Sequence, residues 1–151
     1  MPIDEYERNL RRFVDTILAE PRMEQTKIVL ITPPPINIPD PQPEDDERGI
    51  GQGSRGYATY MNKKRYAEKV MEIAESYEST GKVVGLNFWK ALIDSALKDQ
   101  GRLGHDDAYD DERLPGCGTR TAIAFRRGYF EDGLHFDSLV GTFDLLAQCS
   151  C

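Results

Sequence analysis

Residues 3 to 18 carry apolar side chains at three- and four-residue steps: Ile3, Tyr6, Leu10, Phe13, Val14, Ile17 and Leu18. Glu7, Arg8, Arg11 and Arg12 fall mostly on the other positions, so the spacing predicts an amphipathic helix that Pro21 ends. The period then changes. KIVLIT, residues 27 to 32, is an apolar run without alternation, which predicts a strand of a parallel sheet buried on both faces. Pro33, Pro34 and Pro35 cannot continue a ladder and stop it. Residues 33 to 56 read as a loop, first rich in Pro, then acidic, then rich in Gly.

A second helix is expected from about Tyr57 to Tyr77, with Tyr60, Met61, Tyr66, Val70, Ile73, Ala74 and Tyr77 on its apolar side and Gly81 as a stop signal. VVGLNF, 83 to 88, predicts a second short buried strand, and Trp89, Leu92, Ile93, Ala96 and Leu97 continue as a short helix. Residues 101 to 118 read as a second loop, acidic and mobile. A last helical stretch is expected over about 121 to 130, leading into EDGLHF, and TFDLLAQ forms one or two further turns.

Helix, strand, helix, strand, helix is the order of a parallel α/β layered fold with right-handed crossovers. Two strands do not complete such a sheet, because strands this apolar need strand neighbours and helices on both faces. The expectation is one incomplete α/β domain over residues 1 to 151. Its open sheet edges would pair with a second copy or aggregate.

Charge narrows the functional classes. A net charge of −7 and a pI near 4.9 provide no field that attracts nucleic acid or an anionic membrane surface. No apolar run approaches the ~18 residues of a membrane span, and MPIDEYERNLRRF has no apolar signal core, so the chain reads as cytoplasmic. Cys117, Cys149 and Cys151 lack zinc-ligand spacing, and the last two lie too close for a comfortable intrachain bridge; a reducing compartment fits them.

Three motifs could carry chemistry. GQGSRG, 51 to 56, matches G-x-G-x-x-G, but a Pro-rich and acidic loop separates it from KIVLIT, so no nucleotide site is expected. HDDAYDDE, 105 to 112, lacks a second His and the ligand alternation of a calcium loop; it reads as a solvated acidic loop without a metal. Asp132 and His135 stand three apart around Gly133. A carboxylate on His Nδ1–H fixes the tautomer and stabilises the imidazolium formed when Nε2 takes a proton. The alternative for this pair is a turn Asp that caps a helix beside a surface His.

Several segments in order resemble the SGNH (GDSL-type) hydrolases, particularly the isoamyl-acetate-hydrolysing esterase-like group. MPIDEYERNLRRFVDTI is similar to that family's P-x-x-E-Y-x-x-N-L-x-x-x-V helix, and KIVLITPPPIN to its buried strand ending in Thr-Pro-Pro-Pro. RYAEKVMEIAE followed by VVGLNFWKAL resembles the next helix–strand–helix unit, and EDGLHF the C-terminal D-G-L-H block. The resemblance implies the C-terminal portion of a three-layer α/β/α, flavodoxin-like sheet fold. It also implies hydrolysis of short-chain carboxylic esters through an acyl-serine, without a cofactor. His135 would then be the general base and Asp132 its orienting carboxylate, with Thr32 to Pro35 at the ligand-facing end of a strand.

The family's nucleophile and oxyanion blocks, G-D-S and G-x-N-D, occur nowhere in residues 1 to 151, and Ser54 has the wrong neighbours to replace the nucleophile. By the resemblance Met1 falls just after those blocks, which implies that about half of the family's domain is absent. HFDSLVG also places Gly141 one residue late against the family's H-[FL]-[ST]-x-x-G. A truncated or degenerate ester hydrolase is the expectation, with little activity of its own. A non-catalytic module that pairs through its sheet edges is the rival reading.

Overall fold

The computed structural model describes residues 1–39 and 55–141. Helix α1 spans Ile3–Ala19 and starts directly after Pro2, whose fixed φ of −62° suits a helix entrance. Asp4 and Glu5 in its first turn complement the positive end of the helix dipole. Strand β1 is Ile28–Ile31, helix α2 Arg55–Ser76, strand β2 Val83–Leu86 and helix α3 Phe88–Asp99; a single turn, α4, covers Ser138–Gly141. The two strands pair in parallel, Ile28 against Val83 through Ile31 against Leu86, with α2 as their crossover.

Between α2 and β2 the chain turns at Gly81, which takes φ +64° after a 3₁₀ turn. That conformation is open to Gly at no steric cost. Within β2, Gly85 has a different task. A Cβ there would lie 2.8 Å from the Ala74 Cβ and 2.9 Å from the Met71 methyl, so the missing side chain lets α2 close onto the sheet.

Ile28, Leu30 and Val83 face α1 and α2 and are buried with Val14, Val70, Ile73 and Ala74. The opposite face is only partly covered, with Leu86 buried on it and its neighbours about half exposed. Val29 is 53% exposed, Ile31 55% and Val84 48%. The expectation of burial on both faces is therefore corrected: a continuous apolar run reports hydrophobic side chains on both sides of the pleat, not that both sides are covered. Each strand also has one edge without a partner among the described residues.

A second, larger cluster joins Tyr57, Tyr60 and Ala67 of α2 to α3 and to the segment that follows it. Helix α2 thus serves two cores, contributing Val70, Ile73 and Ala74 to one and its N-terminal aromatics to the other. The start of α3 is fixed twice. Asn87 accepts a hydrogen bond from the Lys90 N–H at 2.9 Å, and the buried Thr32 hydroxyl accepts from the Trp89 N–H at 2.8 Å. Thr32 also donates its own N–H to Leu86 at 3.0 Å, so one residue ties the end of β1 to the end of β2 and to α3.

Two loop readings are corrected. Residues 101 to 118 are not a mobile solvated flap, because Ala108, Leu114 and Cys117 are buried in the larger core and the buried Tyr60 hydroxyl donates to the Pro115 carbonyl at 2.9 Å. Its acids also do more than keep the chain soluble: Asp111 pairs with Lys64 at 2.5 Å, and Asp107 pairs with Arg113. Residues 121 to 130 form no helix. Ala122, Phe125 and Tyr129 are buried at steps that imitate a helical stripe, but the backbone is bonded elsewhere. The Phe125 N–H donates to the Asn37 side-chain oxygen, and the Ile123 carbonyl accepts from Gly116 N–H and from the Gln100 amide.

The α/β character expected from the sequence is present, with a parallel two-stranded sheet and helices. No helix among the described residues is long and apolar enough to cross a membrane. The TFDLLAQ turns, Cys149, Cys151 and Ser54 lie outside the described residues, as does most of GQGSRG; Arg55 and Gly56 open α2.

Candidate functional site

EDGLHF folds as a tight loop between two bridged aromatics. Phe130 and Phe136 form an antiparallel bridge, and the Glu131 N–H donates to the His135 carbonyl at 2.8 Å. Inside the loop, one Asp132 oxygen accepts from the Leu134 N–H at 3.0 Å and the His135 N–H at 2.8 Å. Its other oxygen lies 2.7 Å from His135 Nδ1. The carboxylate therefore holds the backbone and the imidazole together, and the ring presents Nε2 as its free nitrogen. Among the described residues no hydroxyl or thiol hydrogen-bonds to it.

Gly133 makes the loop possible. It adopts φ +84°, and a Cβ there would stand 2.5 Å from the Asn37 carbonyl oxygen. This close approach lets the Asn37 N–H donate to the Gly133 carbonyl at 2.8 Å. Asn37 follows the Pro33–Pro35 run at the carboxyl end of β1, so the Asp–His loop is docked at the end of the sheet where α/β folds bring ligands. Ile38 extends the dock through its N–H to the Gly116 carbonyl at 2.8 Å.

Sequence reading found Asp132, His135 and the Thr32–Pro35 run but missed Asn37. Its backbone holds the Asp–His loop while its side chain holds the 121–130 segment. The only available signal was an Asn two residues after the last proline, where a turn-forming amide is common. Thr32 itself is a structural tie, buried and with its hydroxyl engaged by the Trp89 N–H.

Electrostatics follow from these bonds. Asp132 is held far below the ordinary carboxylate range, first by the His135 N–H, then by the imidazole and the Leu134 N–H. His135 is raised above the usual imidazole value by its hydrogen bond to Asp132 and by that carboxylate's charge. Both side chains are mostly exposed, at 71% for His135 and 54% for Asp132, so solvent screens the pair. A raised imidazole contributes to the loop most fully below about pH 6.5, its ordinary value, and that contribution is lost as pH rises through the elevated folded value. The Asp132→Asn protein should return the His135 midpoint, followed by NMR of the ring protons, to the ordinary range; an unchanged midpoint would exclude the carboxylate as the cause.

A cleft of about 480 Å³ lies between α2 and α3 and includes neither Asp132 nor His135 in its lining. Among the described residues no group of His, Cys, Asp and Glu is arranged to hold a metal ion, and the acids of HDDAYDDE are in part engaged with Lys64 and Arg113. Comparison with known proteins adds no relative: no family model, curated protein or solved structure matches the chain. The chemistry of the site rests on its own geometry and on the motif resemblance.

Proposed function

We propose that this chain carries the base-and-orienter pair of an SGNH-type ester hydrolase site, with His135 as the general base and Asp132 as the group that fixes its tautomer. The observation that supports the reading is the 2.7 Å bond from Asp132 to His135 Nδ1, in a loop docked on Asn37 at the carboxyl end of β1. Such a pair takes a proton from a serine as that serine attacks an ester carbonyl, then returns it to the leaving alcohol. The parent substrate class is a short-chain carboxylic ester, and no cofactor is needed.

Residues 1 to 151 contain no G-D-S nucleophile block and no G-x-N-D oxyanion block. Loss of a triad member typically lowers kcat by about 10⁴–10⁶, so the chain alone is expected to hydrolyse p-nitrophenyl acetate no faster than its His135→Ala variant. Saturable turnover that His135→Ala abolishes and a serine-reactive phosphonate blocks would place a nucleophile in this chain and overturn the inactivity. Transcript sequence upstream of Met1 tests the ester-hydrolase reading itself, which expects an in-frame G-D-S block there.

A second reading is supported by the partly exposed sheet face and by the two strand edges that have no partner among the described residues. An unprotected apolar edge is a template for strand addition, and a non-catalytic module would use it to pair with a second copy or with an intact homologue. Light scattering separates the two. A well-folded dimer favours the module, and an aggregation-prone monomer favours the hydrolase fragment.

A further inference from the structure

We propose that the cleft between α2 and α3 binds a small organic cation with an apolar body, an aryl- or alkylammonium. This goes beyond the ester-hydrolase reading and does not depend on it. At about 480 Å³ the cleft is within the size range of small-molecule sites, roughly 300–1,000 Å³. Its floor is apolar: Met71 and Ala67 from α2, Trp89 and Ile93 from α3, and Leu114 from the packed loop. Trp89 is held edge-on by Tyr60, with ring centroids 5.1 Å apart, so the floor is set before any ligand arrives.

The lip decides the charge of the occupant. Glu68, Glu72 and Glu75 run along one side of α2 and line the cleft, opposite Lys90 and Tyr109. Lys64 is engaged by Asp111 at 2.5 Å and Glu68 at 3.5 Å, Lys90 by Asp94, and Lys69 by Glu72 and by Glu7. Both ammonium groups that line the cleft, Lys64 and Lys90, therefore already have a carboxylate, and Lys64 has two. Glu75 is exposed and has no ion-pair partner among the described residues. An anionic ligand would meet cations that are already neutralised, and a neutral one would leave Glu75 unused.

The lip also shows the chemistry in miniature. The Lys90 ammonium lies 5.3 Å from the Tyr109 ring centroid while paired with Asp94, a cation held between an aromatic face and a carboxylate. A ligand ammonium against Glu75 and Glu72, with its apolar body on Met71 and Trp89, repeats that arrangement on the α2 side of the lip.

Trp89 is the only tryptophan in the chain, so its emission reports on the cleft. The full chain titrated with benzyltrimethylammonium should show a saturable change in Trp89 emission, with benzyl alcohol and benzoate binding at least about fivefold more weakly. Glu75→Gln and Glu72→Gln lie on an exposed helix face and should each weaken the cation about two- to fivefold with unchanged circular dichroism. Added salt should weaken it further. No saturable response up to about 10 mM would overturn the site, since binding weaker than about 1 mM is barely favourable. Equal binding of benzyl alcohol and the cation, or wild-type affinity in both Gln variants, would overturn the cationic assignment.

Discussion

Gly133→Ala is expected to undo the Asp–His loop. A side chain at φ +84° costs about 1–2 kcal/mol in backbone energy. The Cβ would also stand 2.5 Å from the Asn37 carbonyl, a backbone atom that cannot rotate away. Overpacking of this kind adds about 1–3 kcal/mol. Two measurements read the result: a lower urea midpoint, and a His135 titration that falls back toward the ordinary imidazole value as the Asp132 hydrogen bond is lost. If both stay at their wild-type values, Gly133 does not dock on Asn37 and the site lacks the support described.

The other large effect separates two neighbours in one strand. Leu30 is buried against α1 and α2, whereas Ile31, the next residue, points to the opposite face and is 55% exposed. Leu30→Ala should destabilise the protein by about 2–5 kcal/mol, the transfer of the lost atoms plus the cavity they leave. Ile31→Thr, which keeps the β-branch and adds a hydroxyl, should change stability by no more than about 0.5 kcal/mol. Urea unfolding of both variants under one condition settles it. A cost for Ile31→Thr approaching that of Leu30→Ala would show that something covers Ile31 and would correct its exposed placement.

Local signals made most of the framework legible. The three- and four-residue steps of residues 3 to 18 gave the first helix, found at Ile3–Ala19, and KIVLIT and VVGLNF gave the strands. The features that escaped depend on distant partners. Residues 121 to 130 have a helical pattern of buried positions, yet Phe125 bonds to Asn37 across 88 residues, and no local window contains that bond. The acidic composition of 101 to 118 concealed Ala108, Leu114 and Cys117, small or isolated apolar residues that complete the larger core. At the site, the Asp-x-x-His spacing was readable because the hydrogen bond is local. Its anchorage on Asn37 was not, because a main-chain contact leaves no side-chain signature.

Helix α2 divides its burial between two cores, and this has a consequence for how the molecule opens. The sheet, α1 and Val70, Ile73 and Ala74 of α2 form one unit; α3, the packed loops and Tyr57, Tyr60 and Ala67 of α2 form the other. Native-state opening of either unit would strip packing from only one end of the helix. Amide exchange along α2 should then pass through a step near Ala67 to Val70, with different opening energies on its two sides. The longest helix of the described chain is thus less a single rigid rod than a shared spine, through which each core senses whether the other is closed.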